Sequence, residues 1–120
     1  MQYLITQSDE QSRVNLLNEF LNHLRTLSND DLLLDFCRKR TLHGTPWIFR
    51  GMEDNYYLFR KRIADKFNIN FHEVYITGSA QLGFSPLRKT LFSLDSDIDV
   101  ALVSSSLYDK IMDSIHAFQM

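Results

Sequence analysis

YITGSAQLGFS, residues 75–85, and SDIDVALVSS, residues 96–105, carry most of the information in this chain. Two of its four glycines, Gly78 and Gly83, fall in the first stretch. Val74, Tyr75, Ile76 and Thr77 all favour extended backbone, so a strand is expected to run straight into Gly78. A glycine there lets the chain bend tightly and approach a ligand with no Cβ in the way, and Ser79 offers both an amide and a hydroxyl. If residues 80–83 form a helical turn, its first amides face back toward the strand end, where a phosphate is favoured. No Gly-Lys-Ser/Thr follows, so the stretch is not a P-loop.

In the second stretch Asp97 and Asp99 are one residue apart. On a strand that spacing puts both carboxylates on one face and Ile98 and Val100 on the other. Like charges held this close repel unless a cation sits between them. Mg²⁺ takes a few carboxylate oxygens together with substrate phosphates, and two such ions stabilise both the attacking and leaving oxygens of a phosphoryl displacement. Asp95 shares the alternation but reads as a capping or solvated residue at the loop end. The plainer alternative is a turn glycine followed by the wet face of an edge strand. The order strand, Gly-Ser, helical turn, loop, Asp-x-Asp, apolar strand favours a site.

The remaining elements read as mostly helical. Ser8 and Gln11 have capping-box spacing, and Val14, Leu17, Leu21, Leu24 and Leu27 mark a helix over 9–27 with Asn15, Glu19 and Asn22 on its polar side. A second helix is expected after Ser28, with Asp30 and Asp31 at its start and Arg38, Lys39 and Arg40 at its end, as the helix dipole favours. A third spans 53–67, with Tyr56, Phe59, Ile63 and Phe67 on one stripe and Arg60, Lys61, Arg62 and Lys66 largely off it. Residues 98–103 are a second strand, and 3–6 a candidate third. Residues 85–96 show no periodicity and read as a loop. A last helix over 107–118 opens with Ser106 and Asp109 as a capping box and should face Leu107, Ile111, Ile115 and Phe118 inward. This is an α+β inventory in a single domain, 1–120, with a helical part at 1–44 and a motif-bearing core at 45–120.

Composition narrows the function class. The 120 residues are 44% hydrophobic and 23% charged with net charge −2, which suits a globular chain and gives no bulk attraction to nucleic acid or membrane. Locally, residues 38–89 hold ten Lys or Arg against four Asp or Glu, so a basic patch is one reading of the middle of the chain and a solvated face the plainer one. The lone Cys37 reads as a core residue of a protein in a reducing cytosol. No apolar run is long enough to span a bilayer, so no membrane partner is expected. His23, His43, His72 and His116 have no metal-ligand spacing and read as surface or helix-end residues. Trp47, Phe49, Tyr56 and Tyr57 with Arg50 are candidates for a recognition surface, against the plainer reading of core packing.

VYITGSAQLGFSP, residues 74–86, followed by SDIDVALVSS, resembles the nucleotidyltransferase superfamily that includes DNA polymerase beta, the poly(A) polymerases, the CCA-adding enzymes and the minimal bacterial nucleotidyltransferases. With GSAQLGFSP and the later SLYD, the chain is also similar to a bacterial branch associated with mobile elements and antiphage defence. The resemblance covers residues 74–103 closely and 45–109 loosely, leaving the first two helices unexplained. It implies a small mixed sheet flanked by helices, incomplete on its C-terminal side. It also implies an NTP substrate, Mg²⁺ or Mn²⁺, and transfer of a nucleotidyl group to an acceptor hydroxyl. Gly78 and Ser79 would bind the triphosphate, and Asp97 and Asp99 would be catalytic and hold the metal.

Two departures matter. The spacer between Ser79 and Asp97 is seventeen residues, and its Arg88 and Lys89 are candidate nucleotide contacts, although solvation of a loop is the plainer reading. The family's third carboxylate comes from a later strand, whereas after Asp99 the chain has only Asp109 and Asp113 on a predicted helix. The missing group would be explained by further chain, by a partner protein completing the sheet or site, or by lost chemistry in a module that binds protein or nucleic acid within a larger assembly.

Overall fold

The computed structural model describes residues 7–119. The helices are α1 (Gln7–Thr26), α2 (Asp30–Thr41), α3 (Glu53–Phe67), the single turn α4 (Ser79–Leu82) and α5 (Ser105–Gln119). The strands are β1 (Val74–Thr77), β2 (Phe84–Ser85), β3 (Thr90–Leu91) and β4 (Asp99–Leu102). The class is α+β, as expected. In place of one mixed sheet there are, among the described residues, two separate two-stranded pairs, β1 with β4 and β2 with β3. β2 and β3 are antiparallel, Phe84 opposite Leu91 and Ser85 opposite Thr90. β1 and β4 also run in opposite directions: the Val103 amide donates to Glu73 O at one end (2.8 Å), and Thr77 Oγ1 donates to Asp99 O at the other (3.5 Å). The β2–β3 hairpin occupies what reads as an aperiodic loop, because strands of two residues are too short to show alternation.

The chain divides into two compact units, one made of Met1–Arg50 and Ile76–Asp99, the other of Gly51–Tyr75 and Val100–Met120. The core of the first joins Leu17 and Phe20 of α1, Phe36 of α2 and Phe84 of β2, with Leu21, Leu24, Leu27, Leu82 and Leu91 packed around them. Phe20 is its hub, with ring centroids 5.0 Å from Phe36 and 5.4 Å from Phe84 in tilted and edge-on arrangements. Each such phenyl contributes roughly 1.5–3 kcal/mol on burial. α2 is held by Asn29, whose side chain accepts from the Leu32 amide at 2.9 Å, and by the acidic first turn and basic last turn that its dipole favours. α2 buries only Phe36, so Cys37, about 100° further round, is exposed rather than in the core.

A second cluster in this unit surrounds Trp47. Phe92 packs at 5.9 Å between centroids, and the guanidinium carbons of Arg50 and Arg13 lie 3.8 Å and 4.5 Å from the indole centroid. Trp47 is therefore a packing residue, and the recognition-surface reading does not apply to it. Gly83, at φ +90°, presses directly on it: a Cβ there would lie 2.8–2.9 Å from three ring atoms.

In the second unit α3 ends where Asn68 turns left-handed at φ 54°, its amide bonding back to Ala64 O. Arg60 departs from the expected solvated side. It donates to Val74 O at 3.0 Å and lies over Tyr56, Phe71 and Tyr75 at 5.0, 5.3 and 5.8 Å. Burial pushes the Tyr56 phenol above its ordinary pKa, with the Arg60 charge acting in the opposite sense. α5 starts two residues earlier than expected, capped by Ser104, whose hydroxyl accepts from the Leu107 amide at 3.2 Å, and not by Ser106. Its apolar stripe is not turned inward: Ile111, Ile115 and Phe118 are 50%, 44% and 92% exposed. Amphipathic spacing shows that a face wants cover without showing that these residues supply it. Ser8, expected as a cap, falls inside α1, which is already helical at Gln7, and the candidate strand at 3–6 lies outside the described residues.

Gly83→Ala should lower the unfolding free energy by about 2–5 kcal/mol, since it adds left-handed strain to an overlap with a buried ring. Urea titration followed by tryptophan fluorescence measures the loss.

Candidate functional site

The elements of the first unit converge on a cavity of about 580 Å³ lined by Gly78, Ser79, Ser85, Arg88, Thr90, Leu91, Ser93, Asp95, Ser96, Asp97 and Asp99. That volume is within the usual range for a small-molecule site. Five of the six residues proposed from sequence are on its wall, namely Gly78, Ser79, Arg88, Asp97 and Asp99. Lys89 is not. It sits at φ 57° in the hairpin turn, its amide bonded to Ser85 O at 2.8 Å, while the Arg88 amide bonds to Ser85 Oγ at 3.3 Å.

Gly78 ends β1 at φ 72°, ψ −148°, a conformation accessible essentially only to glycine. Its carbonyl accepts from the Gln81 and Leu82 amides at 3.1 and 3.3 Å, and Gly83 N bonds to Ser79 O at 2.7 Å, closing α4 as one compact turn. A turn of four residues has little macrodipole, so what it offers an anion is local amides and the Ser79 hydroxyl. The missing Cβ is filled from the other side: one built at Gly78 would meet Asp99 Oδ2 at 3.1 Å. The carboxylate of Asp99 thus lies against the glycine bend.

Asp99 opens β4, whereas Asp97 lies two residues earlier, in the loop before the strand, so only one of the pair is on the strand expected to carry both. The loop before them is fastened by two serines. Ser93 N donates to Ser96 Oγ and Ser96 N to Ser93 O, both at 3.0 Å, and the Asp95 amide donates to Ser93 Oγ at 3.3 Å. This brings Asp95 to the cavity as a third carboxylate, which sequence reasoning set aside as a cap although its alternation with Asp97 and Asp99 was the available signal. The hydroxyls of Ser85, Ser93 and Ser96 carried no signal, because their placement depends on the hairpin. Asp109 and Asp113 belong to the other unit, on α5.

The donor set is carboxylate, hydroxyl and amide oxygen or nitrogen, with no thiol or imidazole, and suits a hard divalent cation better than a soft one. Among the described residues no three His, Cys, Asp or Glu side chains are grouped tightly enough to hold a metal ion by themselves. A divalent cation held by Asp97 and Asp99 would need its remaining ligands from outside the protein, and Mg²⁺ commonly keeps several waters. The four histidines are exposed. No helix of the described residues is long and apolar enough to cross a membrane.

Comparison with protein-family models, curated protein sequences and solved structures finds no match.

Three carboxylates around one cavity repel each other in the absence of a cation. Asp97→Asn should accordingly raise the thermal midpoint at low ionic strength, and the gain should shrink as NaCl is added toward 0.5 M, roughly where the screening length falls to a few ångströms. Differential scanning fluorimetry across a salt series, without divalent ions, reads both effects.

Proposed function

We propose that this cavity binds a nucleoside triphosphate with Mg²⁺ or Mn²⁺ and that the protein is a nucleotidyltransferase of the polymerase-beta type, transferring a nucleotidyl group to an acceptor hydroxyl. The observation that carries this reading is the meeting of the glycine-serine bend and the acidic pair at one cavity, with Asp99 Oδ2 against Gly78. Ser79 would bind phosphate oxygens through its hydroxyl and its amide at the start of α4, and Arg88 would add a positive charge from the hairpin. Asp97 and Asp99 would hold the cation, which when bound neutralises charge on the phosphate oxygens. In the transfer, the acceptor oxygen bonds to the α-phosphorus, the bond from that phosphorus to the bridging oxygen breaks, and pyrophosphate leaves with the electron pair. The acceptor's proton passes to a carboxylate or to water, and Asp95 is the cavity's additional carboxylate for that role.

A second reading is favoured by the exposed stripe of α5 and by a unit whose buried apolar residues are only Ala64 and Val74 among those described. In it the chain is a binding module of a larger assembly, partnered by protein or nucleic acid, and the acidic pair is incidental.

Isothermal titration with the four NTPs, with and without Mg²⁺, separates the two. The enzyme reading expects cation-dependent binding that weakens about tenfold or more in Asp97→Asn and Asp99→Asn, with unchanged far-ultraviolet circular dichroism. Absence of NTP binding, or binding indifferent to cation and to both substitutions, contradicts it.

A further inference from the structure

α1 lies outside the motif-bearing stretch, yet it sends one charged side chain into the core of the first unit. Arg13 is 3% exposed. Its Nη2 donates to Gly83 O at 3.3 Å and also to Phe92 O. Those two residues are themselves joined, Phe92 N to Gly83 O, at 2.9 Å. Gly83 closes the α4 turn that begins at Ser79, and Phe92 immediately precedes the serine-fastened loop that leads to Asp97 and Asp99. One guanidinium nitrogen therefore holds the exit of the phosphate turn and the entrance of the acidic loop.

The orientation of that nitrogen is fixed as well. The guanidinium lies over the Trp47 ring at 4.5 Å, and the same ring leaves no room for a Cβ at Gly83. Guanidinium is suited to this because it is planar, stacks on an aromatic face and still directs N–H groups in its own plane, which a lysine ammonium cannot do. Hydrogen bonds from a charged donor are also about twice as strong as neutral ones.

We propose that Arg13 is a positioning residue for the cavity: from the N-terminal helix it sets the separation between the Gly78–Ser79 turn and the carboxylates of Asp97 and Asp99. What the cavity binds rests on the nucleotide-and-cation reading above; the mechanical role of Arg13 does not. The inference gives α1 a part in the site beyond covering apolar surface.

The test compares Arg13→Met, Arg13→Lys and, as a core control on the same helix, Leu17→Ala, all in the intact chain. Two readouts are taken: MgATP affinity by calorimetry, corrected for the folded fraction, and amide hydrogen exchange at Gly83, Phe92 and Ser96. Arg13→Met should weaken MgATP binding about tenfold or more and accelerate exchange selectively at those three amides. Arg13→Lys should fall between it and the wild type. Leu17→Ala should lower global stability yet leave the affinity within about twofold. Equal losses of affinity in Arg13→Met and Leu17→Ala, or unchanged affinity and loop exchange in Arg13→Met, would overturn the proposal. Should Arg13→Met fail to fold, Arg13→Lys against Leu17→Ala decides by the same criteria. If the wild type itself binds no MgATP, the proposed function fails, while exchange still decides the role of Arg13: selective acceleration supports it and uniform acceleration refutes it.

Discussion

The contact on which the site depends is the close approach of the Asp99 carboxylate to the backbone of Gly78. It is tight, since a Cβ at that position would lie 3.1 Å from Oδ2 and the carboxylate would have to give by a few tenths of an ångström. It also needs a residue tolerant of φ 72° with ψ −148°. The backbone conformation is met essentially only by glycine, and both features come from one bend just after β1. With that bend in place, the hydroxyl of Ser79 shares a cavity with the Asp99 carboxylate, a pairing that would suit a metal-bound polyphosphate: a donor for its oxygens and a negative group for its cation.

The apparatus around the bend is built from very short elements, and its rigidity must come from elsewhere. α4 is one turn, and β2 and β3 are two residues each. Such pieces have little stability of their own. They are pinned instead by side chains from distant helices: Phe84 of β2 against Phe20 and Phe36, Gly83 against Trp47, and Arg13 on the carbonyls of Gly83 and Phe92. This accounts for helices that the family resemblance leaves unexplained. The first unit uses α1 and α2 as a scaffold for the small elements that line the cavity. The second unit is different in character, with Arg60 gathering Tyr56, Phe71 and Tyr75 around one charge and an apolar face of α5 left open.

The sequence made legible those features that depend on local propensity and periodicity. The helix over 53–67 and the strand over 74–77 appear with the expected bounds, and the turn after Gly78 begins one residue early. Gly78, Ser79, Asp97 and Asp99 are nameable from sequence, because strand-bend and Asp-x-Asp patterns are local. What stayed hidden depends on tertiary contact. The hairpin that brings Ser85 and Arg88 to the cavity is too short for alternation. Arg13 carries little local signal, because a lone charged residue is ordinarily exposed and only its place four residues before Leu17 on the buried stripe points inward. Cys37 and the α5 face were misjudged because apolar pattern reports a preference for cover and not the presence of it.

The most direct measurement of the central claim is paramagnetic broadening of backbone amide resonances by substoichiometric Mn²⁺, with and without a non-hydrolysable nucleoside triphosphate. A shared cation and polyphosphate cavity predicts that the amides of Gly78, Ser79, Asp97 and Asp99 broaden together before the rest of the chain, and that the triphosphate sharpens this selectivity. Broadening confined to the acidic loop with no effect at Gly78 and Ser79, or spread evenly over the surface carboxylates, would contradict it.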